Sequence, residues 1–189
     1  MRLLSCLLVV GSLVTGSACV AQQPVGVAQS FATLAEQPAT HTAFTFDRMA
    51  MQVAQGVLEM NGMPPERAAA ALRGITVENF RYREPAFYTP EAMEGLIASY
   101  KAAGWKHLVN GRQTAANTAQ PKQVVTDLWL HFTGADIDGV TVLARAERQM
   151  SVVELTCDLR PLDLVHLSGH FGIPKVDPGA VMVPAPGER

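Results

Sequence analysis

The stretch that decides the fold is Val124–Leu159, "VVTDLWLHFTGADIDGVTVLARAERQMSVVELTCDL". Apolar and polar residues alternate along it, and two turn-forming segments, "GADIDG" and the polar residues Arg148 and Gln149, divide it into three strands. A tight turn at Arg148 and Gln149 places Val140 opposite Cys157, Val142 opposite Leu155 and Ala144 opposite Val153. All six then share one face, which Val124, Leu128, Leu130 and Phe132 join. With Leu130 opposite Val142, Asp127 stands across from Arg145 on the other face as a favourable cross-strand pair. Cys157 therefore points into apolar surroundings, where its thiol stays protonated and inert.

The same alternation turns Val125, Trp129, Leu143 and Val152 to the opposite face, beside Asp127, His131 and Glu154. A sheet covered by helices on one side leaves this strip for water, folded-back chain or a partner. These four residues form the candidate partner surface.

Upstream, Phe46, Met49, Val53, Val57 and Met60 recur at spacings of three and four, which predicts a helix buried along that face and ended by Gly62. "PPERAAAALRG" reads as a short second helix that begins at proline and closes at Gly74. "ITVENFRYR" is a strand with Ile75 and Val77 on one face and Phe80 and Tyr82 on the other, so a bulge or strand end is expected near Glu78 and Asn79. In "TPEAMEGLIASYKAAGW", Thr89 caps a helix, Pro90 opens it and Gly104 provides the left-handed exit. Its buried face should carry Ala92, Leu96, Tyr100 and Ala103. A short strand over 106–111 follows, so Ile75 to Gly111 is a strand, helix, strand unit whose two strands can run parallel through a right-handed crossover. The chain reads as an α+β domain with two layers, about five mostly antiparallel strands and helices packed mainly on one face.

At 189 residues, 48% hydrophobic and 17% charged, the chain can bury a core and is neither disordered nor highly charged. Its net charge of −2 offers no nucleic-acid footprint. Residues 1–21 read as an export signal, with Arg2 as the positive end, Leu3 to Val14 as the apolar run and a cut after Ala21. That run is too short for a stable membrane span. The alternative is a lipoprotein cut before Cys19, with "GSAC" as the lipobox and Cys19 lipidated, although Gly16 stands where an aliphatic residue is expected. Residues 22–43 read as a flexible tether, 44–176 as the folded domain and 177–189 as a flexible tail. After cleavage at Ala21 the mature chain keeps Cys157 alone, so no internal disulfide can form. The expected location is periplasmic, or membrane-anchored if Cys19 carries lipid.

Recognisable chemistry is sparse. Asp163, His166 and His170 fall at helical spacing, but zinc needs three or four rigid ligands and Leu167 occupies the place of the metalloprotease glutamate. "GADIDG" resembles the start of a calcium loop, yet Arg145 stands where the bidentate glutamate belongs. Ser168 lacks the elbow of a catalytic serine. No phosphate-binding loop is present. Glu91 and Glu94 suit a solvated helix start, and Trp105 suits packing. No catalytic residue, cofactor or metal is implied.

In order, "LRGITVENFRYRE", "LIASYKAAGWKHLV" and "GVTVLARAERQMSVVELTCDLRPLDLVHLSGHFGIPKV" resemble the bacterial domain of unknown function 4252 (DUF4252) family. Gly104 with Trp105, Ser151 to Val153 and Phe171 to Pro174 stand in the places of its recurring motifs. The resemblance covers Phe46 to Val176 and implies an exported α+β domain, often with a signal peptide or lipid anchor, connected to envelope-stress signalling and carrying no established catalytic residues. The functional expectation is a non-catalytic module that binds an envelope protein. The alternative is a small-ligand binder or enzyme with a pocket near His131 or His166.

Overall fold

The computed structural model describes residues 31–110, 119–167, 169–170 and 180–182. It contains the strands β1 (Ala39–Thr45), β2 (Leu72–Tyr82), β3 (Lys106–Asn110), β4 (Val125–Thr133), β5 (Asp136–Arg145), β6 (Gln149–Leu159) and β7 (Ala180–Met182). Its helices are α1 (Arg48–Met60), α2 (Pro65–Ala71), α3 (Pro90–Ala102) and the single turn α4 (Leu164–Leu167). The fold is α+β. The seven strands form one sheet in the order β1-β2-β6-β5-β4-β3-β7, and every neighbouring pair is antiparallel.

The hairpins form where alternation places them, with registers two residues from the sequence reading. Val140 faces Leu155, Val142 faces Val153 and Ala144 faces Ser151. Ala146 donates its N–H to the Gln149 carbonyl at 2.8 Å, so Glu147 and Arg148 occupy the turn. Leu128, not Leu130, faces Val142. At the other turn Thr133 pairs with Asp136, and Gly134 takes φ +65°, where a side chain would be strained. Because a slip of two residues preserves the side-chain face, Leu128, Leu130, Val140, Val142, Leu155 and Cys157 keep the face assigned to them, whereas Val124 precedes β4 and is 66% exposed instead of joining the core.

On the first face, Ile75, Leu128, Leu130, Val140, Val142, Leu155 and Cys157 pack against Ala54 and Leu58 of α1, Ala68 and Ala71 of α2, and Leu167. The buried side of α1 is thus Ala54 and Leu58, while Met49, Val53 and Met60 are 73%, 69% and 81% exposed, opposite to the face the sequence suggested. Arg48, Gln52, Gln55 and Glu59 recur along one side of this helix, and the apolar arc on the remainder is wide enough to include both Ala54 with Leu58 and Met49 with Val53 and Met60, so spacing alone does not select between them. Asp47 caps it by accepting the Ala50 N–H at 2.9 Å, and Gly62 ends it at φ 90°.

The phase change in β2 is real, but its ladder with β6 runs without a slip from Gly74 to Arg81. No bulge lies at Glu78 and Asn79. The strand instead serves two cores, with Ile75 in the first and Phe80 and Tyr82 in a second on the other face. The irregularity is at Leu72 and Gly74, where α2 passes directly into the strand.

That second core corrects the expectation of an uncovered outer face. β2 and β3 lie four places apart, with β6, β5 and β4 between them, so they run in the same direction without being neighbours. The connecting helix α3 must cross those three strands. Since α1 and α2 occupy the first face, α3 lies on the second and packs Met93, Leu96 and Tyr100 against Trp129, Leu143 and Val152. Ala92 is half-buried and Ala103 exposed, so the buried stripe is slightly rotated from the expected one.

The expected tether and tail also contribute to the fold. Phe31, Leu34 and Ala35 are buried in the second core, Leu34 accepts the Thr89 N–H at 3.2 Å, and β1 pairs with β2 along its full length. Within the expected tail, Ala180–Met182 pairs with β3. Residues gain order here because each buries apolar surface or completes a ladder, features that short, weakly periodic sequence conceals. Cys19 and the export signal lie outside the described residues.

Candidate functional site

The residues taken as a partner surface form the inside of the second core. Trp129, Leu143 and Val152 are fully buried, and Val125 is half-buried opposite Arg145. Trp129 is sandwiched between Tyr100, at 4.9 Å between ring centroids, and His107, at 4.6 Å. The Tyr100 hydroxyl lies 3.3 Å from the Thr141 hydroxyl. α3 therefore occupies the strip that a partner was expected to cover.

Beside Trp129, Asp127 and Arg145 meet diagonally across β4 and β5 at 2.8 Å, both almost fully buried. The other Asp127 oxygen bonds to His107 Nε2 at 3.1 Å. Burial pushes the Asp127 carboxyl up, but the His107 hydrogen bond and the Arg145 charge outweigh it and hold the group below its ordinary value. Arg145 also lies over the Tyr88 ring, 5.5 Å from its centroid, and the Tyr88 hydroxyl donates to the Ala146 carbonyl at 2.8 Å. A histidine oriented by an aspartate supplies two of the three members of a hydrolytic triad, but among the described residues no serine or cysteine side chain bonds to His107. The cluster acts as a buried clamp.

Of the carboxyl-terminal candidates, the side chains of Asp163 and His170 are among the described residues. The segment after β6 is a single 3₁₀ turn, Pro161–Asp163, followed by α4, which contains His166. Asp163 is buried and bound by Arg67 at 2.8 Å and by the Arg160 backbone N–H at 2.8 Å. Burial would raise its carboxyl, but Arg160 and Arg67 bring it down to about 2. Ser168 and Phe171–Pro174 lie outside the described residues. Among the described residues no three histidine, cysteine or acidic side chains come together to hold a metal ion.

His131 bonds through Nδ1 to Asp138 at 2.6 Å, and Thr133 donates to the other Asp138 oxygen at 2.7 Å. The second acid of "GADIDG" is therefore committed within the β4–β5 hairpin. The Cys157 thiol is buried with Sγ 3.4 Å from the Ile137 carbonyl, and burial pushes its pKa up to about 12. It is the inert thiol that strand parity predicts.

Two features escaped the sequence reading. The first is a row across the second face, where Thr45, Thr76, Glu154, Thr141, Trp129 and His107 stand opposite one another strand by strand. α3 covers the end at Trp129, while Glu154 lies in the polar half. Its Oε1 is buried and has no hydrogen-bond partner among the described residues. Burial, reinforced by Glu78 on the neighbouring strand, raises its pKa to about 7. Glu78 itself is 2.8 Å from His41 Nε2 on β1.

The second feature is the free sheet edge. β1 is exposed over Thr40–Thr45 and, among the described residues, pairs with β2 only. Its sequence, "ATHTAFT", contains no charged residue and no proline. Natural edge strands usually carry such residues to prevent pairing with another chain. Phe44, 50% exposed, projects from it on the same face as α1 and stacks on Phe46 at 5.9 Å. A depression of about 390 Å³ at the start of β1, between Gln37–Thr40 and Arg81, Arg83 and Glu84, has charges of both signs and selects for neither.

No protein-family model, curated protein or solved structure matches this chain. Among the described residues no helix is long and apolar enough to cross a membrane.

Proposed function

We propose that the chain is an exported, non-catalytic protein-binding module of the cell envelope that docks through the free edge of β1. The observation that supports this most strongly is an uncharged, exposed edge strand beside an exposed apolar helix flank. Such an edge binds an extended strand through main-chain hydrogen bonds, with neighbouring side chains supplying specificity. The export signal and the DUF4252 resemblance favour a periplasmic location and a connection to envelope-stress signalling, with acylation at Cys19 as the alternative address. Intact mass of the mature protein distinguishes these two fates. Crosslinking in the native envelope tests the docking: Thr42→Lys, at the middle of β1, is expected to remove the crosslinked neighbour and leave the fold unchanged. An unchanged neighbour overturns the reading.

A second reading, a small-ligand binder or enzyme, finds its support at Glu154, where a carboxyl that titrates near neutrality lies beside Glu78. Acid–base chemistry requires two groups whose environments separate their proton affinities. A ligand whose affinity falls at least tenfold in Glu154→Gln would favour this reading over the first.

A further inference from the structure

We infer that Met49 and Met60 form a paired, reversible oxidation site on the outer side of α1, where a peroxide converts each thioether to a sulfoxide and turns an apolar stripe polar without disturbing the fold. This inference goes beyond the docking reading and does not depend on it.

The stripe follows from helix geometry. At about 100° per residue, Val53, Gly56 and Met60 all fall within about 40° of Met49, so the four positions run along one line of α1. Met49, Val53 and Met60 are 73%, 69% and 81% exposed, and even a Cβ added at Gly56, between them, would meet nothing within 4 Å. Both thioethers therefore stand open to small oxidants in solvent. Ala54 and Leu58, which hold α1 to the sheet, lie on the opposite side of the helix. A polar group gained on the stripe is solvated by water and leaves that packing untouched.

The other described sulfurs are withdrawn from solvent. Met63, Met93 and Met150 are buried, and Met51 is half-buried against the first core. Cys157 is buried as well, and burial pushes its thiol up to about 12, so it lacks the thiolate that peroxides attack. Methionine oxidation needs no such ionisation. A sulfur lone pair attacks one oxygen of hydrogen peroxide and the O–O bond breaks. The sulfur gives up two electrons and keeps that oxygen, and the other oxygen takes its proton and leaves as water. A methionine sulfoxide reductase reverses the step with two electrons from thiols, which end as a disulfide while the oxygen departs as water.

The test treats the folded chain with hydrogen peroxide and follows each methionine by tandem mass spectrometry of its peptides. Met49 and Met60 are expected to gain one oxygen each at least about tenfold faster than Met63, Met93 and Met150, with Cys157 unmodified. The oxidised protein should elute earlier from a hydrophobic-interaction column, keep its circular dichroism, and recover both mass and retention after treatment with a methionine sulfoxide reductase and dithiothreitol. The double variant Met49→Leu with Met60→Leu keeps the stripe apolar and should lose the shift in retention. Equal rates at the exposed and buried methionines overturn the assignment of the site. Loss of circular dichroism when only these two are oxidised, or a shift that persists in the folded double variant, overturns the change of surface at α1.

Discussion

Tyr100 stacks on Trp129 at 4.9 Å with an interplanar angle of 22°, and this contact fixes α3 to the second face of the sheet. Tyr100 also meets Trp105 edge-on at 5.2 Å, so one ring connects the helix, its exit and the sheet. Truncating it to alanine leaves a cavity that the flat sheet cannot close. Tyr100→Ala is expected to cost about 3–5 kcal/mol in denaturant unfolding. Tyr100→Phe keeps the ring, loses the hydroxyl's contact with Thr141, and should cost about 1 kcal/mol. Equal effects of the two would show that the ring does not carry the packing.

The buried clamp has a different signature, because Asp127 holds an arginine that is also out of water. Asp127→Asn removes the charge and leaves Arg145 buried without it, which is expected to cost about 3 kcal/mol near neutral pH. Asp127, Asp138 and Asp163 all have carboxyls depressed in the folded state, Asp163 to about 2. Depressed groups contribute stability above the unfolded value, 3.8 for each, and lose it as pH falls through the folded values. The wild type should therefore lose stability from about pH 4 downward, and the gap to Asp127→Asn should narrow over that range. A gap that stays constant with pH would argue against the pairing.

How much of this was legible follows from which symmetries the sequence conserves. Strand parity survives a two-residue slip, so Cys157, Leu155 and Val142 were placed on the correct face although their partners were not. Parity does not report what covers a face. The strand, helix, strand unit around α3 was readable, but only the number of strands it crosses reveals that its helix buries Trp129 and Val152. β1 was hidden because seven small, polar and aromatic residues alternate too weakly to stand out from a linker. Glu154 was visible as a neighbour of Asp127 and His131 on the outer face, but its loss of solvent depends on tertiary cover.

α1 provides a direct test of which helix face is buried. Leu58 is fully buried beneath it, and Met60, two residues on, is 81% exposed. Leu58→Ala is expected to cost about 2–5 kcal/mol and Met60→Ala less than about 0.5 kcal/mol in denaturant unfolding. The reverse order would restore the face suggested by spacing.

Glu154 should give the protein an unusual dependence on pH. Its pKa rises from 4.5 to about 7 on folding, chiefly through burial and then through Glu78. Between those values the folded chain keeps a proton that the unfolded chain has released, so unfolding stability falls as pH rises through this window and levels off above it. With allowance for the partial exposure of the side chain, the loss is on the order of 2 kcal/mol. Glu154→Gln keeps the shape of the protonated group and cannot ionise, so its stability should stay flat over the same window and exceed that of the wild type near pH 8. Melting curves collected across the window check this: parallel slopes for the two proteins would mean that Glu154 ionises as easily in the fold as in water, through solvent or a partner that satisfies its Oε1.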